Sequence, residues 1–283
     1  MKKLIILCTM VLTALLLISS VAGCQQPPVP LPAPPPPFQV SATPEEAHYL
    51  PGEPVEVKFS ITNVSSNPVT FDPYPPEIQV RSVSQDEVVF SIPAGTQPLE
   101  ISPNDTITLE FSWDQKDKAG KQVPPGWYFD PFRGYGMNVP AWVLIQHPQG
   151  TMEKTIELNQ SQTVKGIMVT LERIELTSSG MTVYAIGTLF GYPVPPGITN
   201  TANAMEHVSA EYSVDDGIVK KAGSVGMQYL ENRTRFIWSR HVDPVPSDAK
   251  ELIFRISTIT LSFAPDKPIE LVVGPWEFKI PLE

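Results

Sequence analysis

The sequence predicts an all-β protein built from antiparallel β-sandwiches. Three observations predict it. Apolar and polar residues alternate with period two along most of the chain after Phe38. Clusters of Pro, Gly, Asn and Asp punctuate that pattern at short intervals. No long stretch shows the 3.6-residue period of an amphipathic helix.

Taken in order, Val55, Val57, Phe59 and Ile61 alternate with Glu56, Lys58, Ser60 and Thr62. Ile107, Leu109, Phe111 and Trp113 alternate with Thr108, Glu110 and Ser112. Each run reads as a strand with one wet face. Pro51-Gly52, Ser66-Asn67-Pro68 and Pro103-Asn104-Asp105 mark the turns between strands. A module boundary falls near Gln149-Gly150, giving residues 38–148 and 150–283. Both lengths suit an Ig-like sandwich, so the prediction is two Ig-like antiparallel modules in tandem.

In the second module, residues 163–176 and 181–189 flank a hairpin turn at Thr177-Ser178-Ser179-Gly180. A second hairpin is predicted at Asp215-Asp216-Gly217, between 212–214 and 218–219. Further strands are predicted over 235–238, 251–261 and 269–280. Two of these strands change phase. Ile167, Val169 and Leu171 share one face, whereas Ile174 and Leu176 lie on the other. Leu252, Phe254 and Ile256 likewise give way to Ile259, Leu261 and Phe263. A one-residue slip flips the buried face, so bulges are predicted near Glu172-Arg173 and near Ser257-Thr258.

The N-terminal segment has a different character. Lys2-Lys3 precede an apolar run over residues 4–18, and Val21-Ala22-Gly23 precede Cys24. A basic start, a short apolar run and small residues before a cut site form a secretory signal. The apolar run is shorter than the ~20 residues of a spanning helix. A Cys directly after the small residues resembles the lipobox of bacterial lipoproteins. That resemblance implies cleavage after residue 23, lipidation of Cys24, and an extracytoplasmic protein anchored to a bacterial membrane. Residues 24–37 then form a lipidated Cys and a tether. Eight of the eleven residues from Pro27 to Pro37 are proline, which favours an extended polyproline II conformation.

Composition narrows the function classes. The formal charge is −10, and removing Lys2 and Lys3 takes it to −12. An acidic protein of this kind is a poor nucleic-acid ligand and is repelled by anionic lipid. The membrane partner is therefore met through the lipid on Cys24. Cys8 lies inside the signal, so the mature chain has no internal disulfide and no Cys zinc site.

Residues 113–128 carry Trp113, Asp114, Asp117, Gly120, Pro125, Gly126 and Tyr128. This W-D-x-x-D-x-x-G…P-x-G-x-Y hairpin resembles that of bacterial Ig-like modules. Examples are the flagellar hook-capping Ig-like domain and the intracellular proteinase inhibitor (BsuPI-type) domain. The likeness covers about residues 47–130. It implies an Ig-like fold for the first module, with BsuPI-type protease inhibition as an alternative function. Lys154-Thr155-Ile156-Glu157-Leu158 and Thr163-Val164-Lys165-Gly166-Ile167 resemble all-β extracytoplasmic domains of Gram-positive anti-sigma and stress-sensing proteins. That resemblance implies a sensor domain as a further alternative.

The candidate site residues are few. The stretch 127–142 is dense in aromatics: Trp127, Tyr128, Phe129, Phe132, Tyr135 and Trp142. On a long loop, Trp127, Phe129, Phe132, Tyr135 and Trp142 would form a contact patch for a protein or a glycan. Against this, Tyr128 and Trp142 would serve equally well in the core, with the others sealing the joint between modules. Asp114, Asp117 and Gly120 lack the ligand ladder of a calcium loop and suit a hairpin capped by its own acids. Arg233, Arg235, Arg240 and His241 form a basic cluster that reads as a solvated strand face. His48, His147, His207 and His241 show no metal-binding spacing, and no catalytic motif is present. The expectation is a non-enzyme without cofactor or metal, making protein or glycan contacts at the cell envelope.

Overall fold

The structure is a computed structural model that describes residues 37–129, 141–195, 201, 204–263 and 269–283. Cys24, the Pro-rich tether, Phe132 and Tyr135 lie outside the described residues. The described residues form strands and turns and contain no helix. Pro36–Glu283 forms one compact unit.

The first half contributes β1 (Phe38–Thr43), β2 (Glu46–Tyr49), β3 (Val55–Asn63), β4 (Val69–Tyr74) and β5 (Ile78–Ser82). It continues with β6 (Glu87–Ile92), β7 (Gln97–Ile101), β8 (Thr106–Trp113), β9 (Gly126–Phe129) and β10 (Trp142–Ile145). These make a three-stranded sheet β1-β3-β8, a five-stranded sheet β2-β10-β9-β5-β6 and a ribbon β4-β7. Every pairing is antiparallel except that of β10 with β2. The alternation read from the sequence fixes which face is buried. Val55, Val57, Phe59 and Ile61 of β3 meet Phe111 and Trp113 of β8 in one core. Val80 of β5 and Val143 and Ile145 of β10 join them from the other sheet.

The second half contributes β11 (Lys154–Val164), β12 (Ile167–Thr177), β13 (Gly180–Leu189), β14 (Met205–Val214) and β15 (Lys220–Lys221). It ends with β16 (Ser224–Leu230), β17 (Arg233–Arg240), β18 (Glu251–Leu261) and β19 (Glu270–Pro281). The sheets are β11-β12-β13-β17-β16 and β15-β14-β18-β19, all antiparallel. Val183 and Phe236 of the first sheet pack in one core with Phe254 and Phe278 of the second.

Both predicted bulges are present. The register of β12 on β13 skips Glu172, and that of β18 on β14 skips Ser257. Each skip returns the later apolar residues to the core, so Ile174 and Ile259 are fully buried.

Three strand assignments are corrected. Residues 163–176 are not one strand. Lys165 and Gly166 both take positive φ, 48° and 79°, and form a tight turn between β11 and β12. The strand after Asp215-Asp216-Gly217 is Lys220–Lys221, while Ile218 and Val219 are 66% and 52% exposed in the loop. Ser224–Leu230 is a strand outside those predicted, although Val225, Met227 and Tyr229 alternate with Ser224, Gly226 and Gln228.

The acidic hairpin resolves as a self-capped turn. Asp117 Oδ1 accepts from Ala119 N at 2.8 Å and Lys121 N at 2.9 Å. Asp114 accepts from Lys116 N at 3.2 Å and pairs with its ammonium at 2.9 Å. The fully buried Gln115 donates to the Leu50 and Glu53 carbonyls and accepts from Gly52 N. It thereby pins the turn between β2 and β3.

Candidate functional site

The two halves meet around Asp243, which the sequence places in the apolar run Val242-Asp243-Pro244-Val245. Val242 and Val245 are buried in the second core, which carries Asp243 inward with them. Asp243 is 1% exposed. Its Oδ1 accepts the Trp127 backbone N–H at 2.8 Å, and its Oδ2 pairs with Lys220 Nζ at 2.8 Å. Its own N–H donates to the Tyr212 hydroxyl at 3.1 Å. A carboxylate with this many donors is well matched to burial. Gly126 sits at φ +147°, and a Cβ there would lie 2.8 Å from Asp243 Oδ2. Only glycine lets β9 approach so closely.

Trp127 is the second element of the junction. Its indole N–H donates to the Ser179 carbonyl at 2.9 Å, and its carbonyl accepts from Val83 N at 2.9 Å. One residue therefore joins β9 to the turn after β5 and to the β12–β13 hairpin. Lys221 adds a bond from its N–H to Ser84 O at 2.7 Å and an ion pair to Asp86 at 3.2 Å. His147 Nε2 lies 3.2 Å from the Pro244 carbonyl and donates to it.

Aromatic rings fill the outer part of the junction. His241 stacks on Trp142 with centroids 3.3 Å apart and planes 14° apart. It also meets Trp127 edge-on at 4.8 Å, and His48 meets Trp127 at 5.9 Å. A cleft of about 470 Å³ opens beside these rings. Glu45, Glu46, Trp142, Thr182, Arg240 and His241 contribute to its walls.

Burial pushes the His241 imidazole down to about 4, against a smaller upward pull from Glu46 and a further downward push from Arg240. Burial also lowers His147. Burial raises the Tyr128 and Tyr212 hydroxyls, with Asp243 adding to both shifts. His241 is neutral in the folded protein and titrates near 6.5 when unfolded. The unfolded chain thus gains protons first as pH falls. Folding stability is expected to be intact above about pH 6.5 and to drop by roughly 2 kcal/mol by pH 4.5 from this group. Urea denaturation at both pH values checks it, and His241→Phe should flatten that part of the profile.

The sequence-predicted residues are brought together only in part. Trp127 and Trp142 share the cleft wall with Arg240 and His241. Trp127 is corrected as an exposed contact: it is 3% exposed, because β9 turns it toward the second half and Tyr128 toward the first core. Trp142 is half-buried, and Phe129 closes β9 opposite Arg81. Arg235 pairs with Glu172 at 3.2 Å, and Arg233 is exposed, so neither joins the cleft. His207 is exposed on β14. Among the described residues, no group of three or more His, Cys, Asp or Glu could hold a metal ion. Sequence reasoning missed Asp243, Lys220, Glu45 and Glu46. The detectable signal was an Asp inside an apolar run, which marks a paired buried carboxylate.

The chain is thus an all-β protein of several antiparallel sheets, with its two halves joined through a buried ion pair. Among solved structures it is similar to the conserved domain protein from Bacillus anthracis, at 12% identity and a TM-score of 0.33, over 82% of this chain and 83% of that one. A likeness at that level carries no argument about function. No family model and no curated protein matches the chain.

Proposed function

We propose that the protein is a lipid-anchored extracytoplasmic binding protein that makes protein or glycan contacts at the bacterial envelope. Its anchor is Cys24, and each half is an Ig-like sandwich. The observation that carries the reading is the cleft at the junction, where Trp142, Arg240 and His241 from two different halves converge on one opening. Binding sites concentrate where two packed units meet. The motif Val21-Ala22-Gly23-Cys24 supports the anchor. A lipid on Cys24 supplies the attachment that a net-negative surface cannot.

The residues behind the BsuPI-type likeness shape the 113–128 hairpin itself: Asp114 and Asp117 cap it, and Trp113 Nε1 donates to Lys116 O at 2.8 Å. They support a shared fold and give no support to inhibition.

Expression of the full chain in a bacterial host with labelled palmitate tests the anchor. The wild type should fractionate with membranes and carry label. Cys24→Ser should lose the label and leave the lipidated membrane pool. A Cys24→Ser chain that keeps its label would sink the anchor.

A further inference from the structure

We infer that the junction cleft binds a neutral, polyhydroxylated ring compound, a saccharide of one or two units; this deepens the binding reading above and rests on it. Glu45, Glu46 and Arg240 line the cleft, with Glu46 Oε1 3.3 Å from His48 Nε2. A simple anion would meet the two carboxylates, and a simple cation would meet the guanidinium. Either would gain from one wall and lose to the other. Thr182 and Ser239 add hydroxyls that both donate and accept. An apolar ligand would desolvate all these groups without pairing them, at about 1–3 kcal/mol each. A neutral polyol satisfies donors and acceptors alike.

A second observation points the same way. The His241 ring is half-buried, lies flat on Trp142 and lines the cleft, yet no hydrogen bond to either ring nitrogen is formed with the described residues. Its neutral form carries one donor and one acceptor, on different edges of the ring. A sugar hydroxyl both donates and accepts, so it pairs with whichever nitrogen meets the cleft. His241 is also held at φ +54°, a left-handed conformation that its neighbours must enforce. The stacked Trp142 fixes the imidazole plane, so the two nitrogens are presented without loss of side-chain freedom on binding.

The test uses the full lipidated chain in a detergent without a sugar headgroup, titrated with cellobiose, maltose and N,N′-diacetylchitobiose. Succinate and putrescine serve as charged controls, and calorimetry and tryptophan fluorescence are the readouts. At least one disaccharide should saturate a single site with a Kd of about 1 mM or tighter. Arg240→Ala and Thr182→Val should each weaken it by roughly tenfold with an unchanged melting temperature. Arg233→Ala, outside the cleft, should leave it unchanged. Failure of all three sugars, or preference for a charged control, overturns the inference. Should Arg240→Ala unfold the chain, Thr182→Val alone decides. Capture of an envelope protein by a chain that binds no sugar would overturn the saccharide assignment and leave the binding function standing. Loss of membrane attachment with sugar binding retained would overturn the anchor and leave the cleft assignment in place.

Discussion

Asp243→Ala is expected to destabilise the protein by about 3–5 kcal/mol, the cost of breaking a buried pair by removing one partner. Two donors lose their acceptor at once. Lys220 keeps its ammonium beside an emptied site, with its side chain only 23% exposed. The Trp127 N–H is left buried, at about 1–3 kcal/mol for an unmet donor. Asp243→Asn retains one acceptor and should cost less. Lys220→Met in the Asp243→Ala background should recover part of the loss, since no buried charge then remains. Urea denaturation followed by tryptophan fluorescence reads all four chains, and Trp127 itself reports on the junction. A loss below about 1 kcal/mol for Asp243→Ala would show that the pair does not hold the halves together.

Trp276→Ala should cost a similar amount, about 3–5 kcal/mol, by a different route. Trp276 is fully exposed to the core and not to solvent, at 0% accessibility, and its indole N–H donates to the Ile167 carbonyl at 3.0 Å. Truncation removes the largest class of side chain from the second core and takes one donor from the Ile167 carbonyl of β12. Trp238 makes an informative control. It is equally buried, but its indole nitrogen has no hydrogen-bond partner among the described residues. Trp276→Phe loses both volume and a hydrogen bond, whereas Trp238→Phe loses volume and sheds an unmet donor. The first should therefore be the more damaging of the two by about 1 kcal/mol. Equal losses would remove the hydrogen bond from the account of Trp276.

The strands were legible where one face is wet. In β3 and β8 the pleat sends alternate residues to core and solvent, so period two is written directly in the sequence. The bulges at Glu172 and Ser257 were legible for the same reason, as a break in phase that only an extra residue repairs. The Lys165-Gly166 turn was missed although the phase breaks there: Val164 and Ile167 are three residues apart and would fall on opposite faces of one unbroken strand. The two positive φ values mark the reversal. The junction was the least legible part. Trp127 and Trp142 carry an aromatic signal that reads alike for an exposed patch and a sealed joint. Asp243 lies 116 residues from Trp127, and nothing local couples them.

The parallel pairing of β10 with β2 also sets an order of events. Trp142 lies opposite Glu46 and Ile145 opposite Tyr49, so β2 waits for a partner made roughly a hundred residues later. Until β9 is made, β5 and β6 have only each other, and a lone two-stranded hairpin is marginal in water. An exported chain emerges N-terminus first, so the first sheet stays unfinished until the segment through Ile145 has followed. During that interval the β2 edge and the inner face of β5 are open to other chains. A nascent chain stopped between Trp113 and Trp142 is therefore a sticky species, and one extended past Ile145 can close its first sheet.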